Sequence, residues 1–467
     1  LIPKMNKPKS ETIFALSTFF ASSALAVIRV SGDKCKKVIS TLCNLSKVKP
    51  RHAYFSELKD CNGDLIDKCI LIFFKSPNSF TGEDLLEIQS HGSTAIIQRI
   101  LSELKTFDGL RMAKPGEFSL RAFRNKKQSA IYFEGLNNLI SAETEKQRVI
   151  ASKQTFGEAE NLCKKWEMFL IQSLAFVDAS IEFSEDDHVD LVSVKENLKK
   201  LKKEITKHLE KSKYITQIKL GIKVLIFGPP NAGKSSLFNL LCNDEKVIVS
   251  PIKGTTRDQI SADISLLGNK VTLIDSAGIR QSSDQVEKKG IEKTFKSIKD
   301  LQKFILVLSP DSLNNQNMQA VNKSLTELDK KELIIVFNKS DLKGSKKKFE
   351  NWNTKIKSLK NFKQITISCK KKSVDNQILK KTINFIYKKL INIDSLVDGD
   401  YFFTENRHIE CMELILKDII NALENFDSLE ICADFIKEAL KKTNDFYGKY
   451  SEDDKLEHIF NNFCIGK

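Results

Sequence analysis

The stretch "GPPNAGKSSLFN", Gly228 to Asn239, places Gly228, Gly233, Lys234 and Ser235 at the spacing of a phosphate-binding loop. Glycines permit a turn tight enough for backbone N–H groups to surround phosphate oxygens, and the helix that follows presents its positive end to them. Lys234 can then reach the terminal phosphates, and the Ser235 hydroxyl can ligate Mg2+. A glycine turn before any helix would look similar, but the strand-like "KVLIF" immediately upstream supplies the strand–loop–helix setting the motif needs.

Three more elements follow in order. "DSAG", Asp275 to Gly278, ends the apolar run "VTLI"; Asp275 can hold Mg2+ through water, and the Gly278 N–H can sense a γ-phosphate. "NKSD", Asn338 to Asp341, ends "LIIVF". Its Asp341 carboxylate can accept both the N1–H and the exocyclic amine of guanine, a pair adenine does not offer. "SCK", Ser368 to Lys370, ends a further strand and can support the base. Between the first two lies "KGTTRD", Lys253 to Asp258, at the switch I position, with Thr256 as a second Mg2+ ligand. The order predicts a guanine-nucleotide site. Its residues are Asn231, Ala232, Gly233, Lys234, Ser235 and Ser236; Ser250, Pro251, Ile252, Lys253, Gly254, Thr255 and Thr256; Asp275, Ser276, Ala277 and Gly278; Asn338, Lys339, Ser340 and Asp341; and Ser368, Cys369 and Lys370.

Hydrolysis needs an oriented water, and Ras-like GTPases use a Gln just after D-x-x-G. Here that position is Ile279, which cannot orient water. Gln281, Asp284 and Glu287 lie downstream with suitable groups. Transition-state charge can be met by Arg257, by Arg280 or by a monovalent cation.

These residues need elements to hold them. The chain has 467 residues, enough for about three domains. Hydrophobic residues make up 41% and charged residues 29%, a globular mix able to bury cores. The net charge of +15 suits an anionic partner such as nucleic acid, although lysine-rich solvated helix faces give the same sum. Ten cysteines show no C-x-x-C and no Cys/His cluster, which predicts reduced thiols and no zinc site. The run "IFALSTFFASSALAVI", Ile13 to Ile28, has the outline of a signal peptide, but serines and a threonine interrupt it and "ALAVIRVSG" reads as a core strand. No stretch is long and apolar enough to span a bilayer. The acidic "EFSEDDHVD", Glu182 to Asp190, reads as a solvated loop rather than a metal site.

The predicted fold is multidomain α/β. Residues 1–125 alternate short β-like runs with turns, an α+β pattern; 126–219 are helical, with Val194, Leu198, Leu201, Ile205 and Leu209 at helical spacing. Residues 220–388 alternate strands and helices, as in a Ras-like domain with a mixed, mostly parallel sheet covered on both faces. Residues 389–467 are helical again, so the α/β domain is inserted into a discontinuous helical one.

The same residues resemble one family closely, the MnmE (TrmE) tRNA-modification GTPases, over essentially the whole chain. The matching segments are "PNAGKSSLFN", "GTTRD", "DSAGIR…SDQVEKKGIEK", "NSFTGEDLLEIQSHGS" (Asn78 to Ser93), "KPGEFSLRAF" (Lys114 to Phe123), "ENRH" (Glu405 to His408) and the final "CIGK". The resemblance implies a K+-dependent GTPase whose G domains dimerise transiently, with K+ held at Asn231, Ser250, Ile252 and Thr255 and Glu287 orienting water through a bridging water. It implies an amino-terminal homodimerisation domain that binds 5,10-methylene- or formyl-tetrahydrofolate through Arg29, Glu87, Lys127 and Lys467. Cys464 would stand near the one-carbon donor as a nucleophile or general acid/base; "CIGK" has Gly466 at the second aliphatic position and Lys467 in place of the usual terminal residue of a prenylation signal. The implied partner is an MnmG-type protein that carries FAD, in a heterotetramer. Together they would install an aminomethyl or carboxymethylaminomethyl group at C5 of the wobble uridine of cytoplasmic tRNA, away from membranes. Two segments depart from the family pattern: "FFASSAL", Phe19 to Leu25, and "RNKKQSA", Arg124 to Ala130. A ribosome-assembly GTPase of the Era or Der kind shares the G motifs, and a GTP-binding switch that has lost folate use would fit the two departures.

Overall fold

The computed structural model describes residues 11–182, 191–244, 246–247, 260–266, 268–275, 303–328, 332–370, 403–448, 460 and 466. They fall into two compact units. One is drawn from Leu1–Asn137, Gln154–Lys199 and Leu414–Lys467, the other from Asn138–Lys153 and Lys200–Glu413.

The first unit is built on a six-stranded sheet of β1 (Thr12–Leu16), β2 (Ser23–Ser31), β3 (Ala53–Lys59), β4 (Leu65–Phe74), β5 (Leu85–Gly92) and β6 (Leu110–Met112), in the order β3-β4-β5-β2-β1-β6. The run that outlines a signal peptide forms β1 and most of β2, paired antiparallel with Phe14 opposite Val30 and Ala15 opposite Arg29. Alternation sorts the two faces. Ile28, Val30, Leu86 and Ile88 point into a core closed by α1 (Cys35–Cys43) and α2 (Thr94–Thr106). Ile13, Ala15 and Leu85 face the other way, under Phe118 of α3 (Glu117–Arg124). A fully buried Phe such as Phe118 contributes about 1.5–3 kcal/mol relative to its exposed state.

Helices complete the unit. Trp166 of α6 (Glu158–Glu182) meets Phe446 of the late helix Leu429–Tyr447 edge to face at 6.1 Å, and the Tyr447 hydroxyl donates to Glu167 Oε2 at 3.2 Å. Near the carboxyl end, Phe460 is buried among Leu120, Phe123 and Phe133, the last on α4 (Ala130–Ile140). α5 (Glu145–Thr155) and α7 (Leu191–Leu220) fall mainly within the second unit. The five apolar residues of α7 noted in the sequence, Val194 to Leu209, are all buried, as their spacing predicts.

The second unit holds a seven-stranded sheet of β7 (Ile222–Phe227), β8 (Lys246–Val247), β9 (Ile260–Leu266), β10 (Asn269–Asp275), β11 (Lys303–Leu308), β12 (Glu332–Phe337) and β13 (Lys363–Thr366). Its order is β13-β12-β11-β7-β10-β9-β8. β7, β10, β11, β12 and β13 run parallel, while β9 is antiparallel to β10 and β8 to β9. β11 is buried at every residue, as befits a central parallel strand. One face is closed by α9 (Asn315–Glu327), through Val321 and Leu325, and by α10 (Ser345–Lys355), through Phe349 and Trp352. α8 (Lys234–Asp244) follows β7 directly; α11 (Asn406–Glu424) begins in this unit, and the helix Leu429–Tyr447, α12, belongs to the first. Among the described residues no helix is long and apolar enough to cross a membrane, and no cluster of His, Cys, Asp and Glu is arranged to hold a metal.

Candidate functional site

In open parallel sheets ligands bind beyond the carboxyl ends of the strands. The nucleotide motifs of the second unit lie there. β7 ends at Phe227, and the chain turns through Gly228 (φ 145°), Asn231 (φ 56°) and Gly233 (φ 95°) before α8 begins at Lys234. Two of these positions require glycine. A Cβ at Gly228 would overlap the Val307 carbonyl oxygen, and one at Gly233 would overlap the Asn338 side-chain nitrogen. The turn therefore aims backbone N–H groups and the α8 amino end at one spot.

Charged and polar side chains converge on that loop. Lys234 is buried, and its ammonium donates to the carbonyls of Gly228 at 3.1 Å and Pro229 at 2.9 Å. Parallel pairing sets Asp275 beside Ile226, so the end of β10 meets the start of the loop. There the Ser235 hydroxyl donates to Asp275 Oδ2 at 2.8 Å. Two oxygen donors this close are the chemistry a hard divalent cation selects.

The base-side motifs join through one amide. Asn338 is 2% exposed. Its Nδ2 donates to the Ala232 carbonyl at 3.0 Å, and its Oδ1 accepts from the Cys369 N–H at 3.1 Å. The phosphate loop, "NKSD" and "SCK" are thus held by a single side chain. Lys339 sits in the left-handed region (φ 60°), and its ammonium reaches Asp311 Oδ2 at 3.3 Å. The Ser340 N–H donates to Ile367 O at 3.1 Å, and the Ser368 hydroxyl donates to an Asp341 carboxylate oxygen. Burial, with Asp341 nearby, pushes the Cys369 thiol up to about 12, so it stays protonated and serves through its backbone. Lys370 follows at the exposed end of this turn, and Ser236 lies in the first turn of α8. Ser250, Pro251, Ile252, Lys253, Gly254, Thr255, Thr256, Ser276, Ala277, Gly278 and Glu287 lie outside the described residues, as do Cys464 and Lys467.

The first unit gathers a second constellation. Arg29 on β2 stands directly opposite Glu87 on β5, and its Nε donates to Glu87 Oε1 at 2.9 Å. One carboxylate oxygen is used by that bond, which leaves acceptor capacity for a ligand's N–H groups. Phe80 lies against the Arg29 guanidinium, 5.6 Å from ring centre to Cζ. Lys127 reaches the same loop, donating to the Pro77 carbonyl at 2.8 Å, and the Asn125 amide donates to the Thr81 carbonyl at 2.7 Å. Near the end of β1 the Ser17 hydroxyl donates to the Gly466 carbonyl at 3.0 Å. Gly466 has φ 92°, and a Cβ there would overlap the Leu16 carbonyl, so the penultimate residue is fitted to that strand end. The departing segment leaves Phe19 70% and Leu25 62% exposed.

Sequence reasoning missed the framework behind this loop. Arg121 donates to Glu83 Oε2 and Glu117 Oε1, both at 3.0 Å, and Arg111 donates to Glu117 Oε1 at 2.7 Å. Burial alone would raise the Glu117 carboxyl, but Arg111, the Lys114 N–H and Arg121 outweigh it and hold it at about 2. The i,i+4 spacing of Glu117 and Arg121 was a legible signal; the link to Glu83 was not, since it joins distant segments.

Known proteins resemble the chain along its length. The family profile for the "GTP-binding protein TrmE N-terminus" matches residues 12–127, and that for the "MnmE helical domain" matches residues 131–464. The tRNA modification GTPase MnmE of Rickettsia bellii (strain RML369-C) is 35% identical over 466 residues, covering 98% of this chain and 100% of that protein. The protein of the same name from Anaplasma phagocytophilum (strain HZ) is 34% identical, covering 99% and 100%. That of Pseudothermotoga lettingae is 33% identical, covering 98% and 100%.

Proposed function

Because the chain belongs to the MnmE family of tRNA modification GTPases, and so is a GTP hydrolase that acts in tRNA modification, we propose that it modifies the wobble uridine and that the loop at the end of β7 is its GTP site. The observation that carries the GTP-site assignment is the Asn338 amide, which ties the phosphate loop to both base-side turns. In this reading the loop from Asn231 to Ser236 receives the phosphates, Lys234 exchanges its loop carbonyls for terminal phosphate oxygens, and Asp341, steadied by Ser368, pairs with guanine. Ser276, Ala277 and Gly278 extend the phosphate side. Lys339, Ser340, Cys369 and Lys370 frame the base.

Mg2+ would be held by Ser235 and Thr256, with Asp275 beside Ser235 acting through water, and when bound it would supply charge neutralisation between phosphates. K+ would be held by Asn231, Ser250, Ile252 and Thr255 and would supply the positive charge other GTPases take from an arginine. Glu287 orients water in this scheme, since Ile279 has no polar atom to do so. Ser250 to Thr256 include the sequence position of switch I.

We infer that the Arg29–Glu87 pair receives a tetrahydrofolate one-carbon donor. Glu87 accepts from donors on the pterin, while Arg29, Lys127 and the terminal Lys467 suit the glutamate tail. When bound, the folate supplies the carbon that reaches uridine C5. Cys464, two residues before Gly466 in the sequence, would act as the nucleophile or general acid/base group. The partner is an FAD-carrying MnmG-type protein, and the chain is a homodimer through its amino-terminal domain, acting in the cytoplasm.

Mass spectrometry of tRNA nucleosides from cells with and without the protein tests this. Loss of a C5-substituted wobble uridine is expected; an unchanged nucleoside profile overturns it. Titration of the purified protein with formyl-tetrahydrofolate tests the donor separately. Binding is expected, and absent binding would favour a GTP switch that no longer uses folate, the reading suited to the exposed Phe19 and Leu25.

A further inference from the structure

The charge of this chain is unevenly placed. Between Lys343 and Lys363 stand eight lysines and one acid, Glu350, a net +7 of the chain's +15 in 21 residues. Composition alone does not explain this, because the fold handles other lysines differently. Lys270 pairs with Glu143 and Asp263, Lys303 with Glu332, and Lys219 with Glu405. Among the described residues the eight lysines of this segment form no ion pair, and all are exposed.

Packing makes them a surface. Ser345, Phe349, Trp352 and Ile356 recur at helical spacing and are buried, so α10 turns its remaining faces outward. Trp352 is anchored further by its Nε1–H, which donates to Ser309 O at 3.2 Å. α10, the 3₁₀ turn Lys357–Asn361 and the edge strand β13 are then locked together. Asn353 Nδ2 donates to Gln364 Oε1 at 3.1 Å, and Gln364 Nε2 donates back to Asn353 Oδ1 at 2.9 Å and to Leu359 O at 2.9 Å. The lysines therefore project from a rigid platform, not from a loose tail.

We propose that this edge of the second unit is a docking surface for the phosphate backbone of RNA. The inference rests on the reading that the chain acts on tRNA and adds where on the chain the RNA is held. A protein partner needs a desolvated apolar centre, and no large apolar side chain is exposed between Lys343 and Lys363. A phosphate backbone needs only cations, each releasing counterions. Lysines also protect edge strands from pairing, but that accounts for Lys363 on β13 and not for the four on α10. Lys346 to Lys355 spans about 14 Å along the helix at 1.5 Å per residue. The platform is joined to the base-side turn, since the Ser345 hydroxyl donates to Ser340 O at 3.0 Å.

The test uses the full chain and an unmodified tRNA transcript, with affinity measured by fluorescence anisotropy from about 50 to 200 mM salt. The variant combines Lys346→Ala, Lys347→Ala, Lys348→Ala and Lys355→Ala; all four side chains are exposed, so folding and GTP hydrolysis without RNA should be unchanged. We expect at least a roughly tenfold loss of affinity at low salt and a salt slope flattened by about 2–3. Equal affinity and slope in variant and wild type overturn the proposal, as does a wild type that binds no tRNA. Weaker heparin binding with unchanged tRNA binding assigns the surface to an acidic partner and overturns the RNA assignment. Wobble-uridine modification by the wild type separates the two readings: if it occurs while the variant binds tRNA normally, only this inference falls.

Discussion

Replacing Asn338 by alanine tests the central joint of the proposed nucleotide site. The substitution removes the donor to Ala232 O and the acceptor for the Cys369 N–H, bonds of 3.0 and 3.1 Å made by a side chain only 2% exposed. Each orphaned backbone group costs about 1–3 kcal/mol unless water replaces the amide. The combined loss is therefore roughly 2–6 kcal/mol, or about 4–24 °C in the melting temperature of a domain of this size. Asn338→Asp is a sharper probe. It keeps an acceptor for Cys369 but sets a carboxylate against the Ala232 carbonyl, so it should loosen the phosphate loop more than the base side. The exposed Asn351→Ala serves as control, with a change within about 0.5 kcal/mol. The assays are scanning calorimetry, fluorescent-GDP affinity and hydrogen exchange at the Cys369 amide. If Asn338→Ala matches the control in melting temperature and GDP affinity, the amide does not hold the three loops together.

Three further predictions follow from the same structure. Glu117→Gln should remove a carboxylate whose folded pKa, about 2, lies below its ordinary value, so its stabilisation is full above about pH 4.5 and fades as pH falls toward 2. The variant should lose about 1–2 kcal/mol at pH 7 after allowance for solvent screening and show a flatter acid limb in urea melts; an unchanged limb would refute the Arg111–Arg121 framework. GTP hydrolysis should be at least tenfold faster in K+ than in Na+, and Glu287→Ala should bind GTP normally while losing most turnover, on the order of 100-fold; equal rates in the two salts would remove the cation from the scheme. Cys464→Ser should abolish wobble modification and leave GTP hydrolysis intact, and normal nucleoside profiles in that variant would return the tail to packing alone.

Much of the molecule was legible in residue order. The strands "KVLIF", "VTLID", "FILVL" and "LIIVF" announce themselves because central parallel strands are buried on both faces and need apolar residues throughout. The phosphate loop was legible because Gly228 and Gly233 stand where any Cβ would strike neighbouring atoms. The spacing of Val194 to Leu209 showed which side of α7 is buried. Long-range pairing was not legible. That Arg29 meets Glu87, that Glu83 closes on Arg121, and that the lysines of α10 form no ion pair among the described residues depend on strand register and packing between segments far apart in the chain. Composition sums to +15 wherever the lysines stand. Only the burial of Phe349 and Trp352, with the Asn353–Gln364 amide pair, decides that nearly half of that charge gathers on one rigid edge.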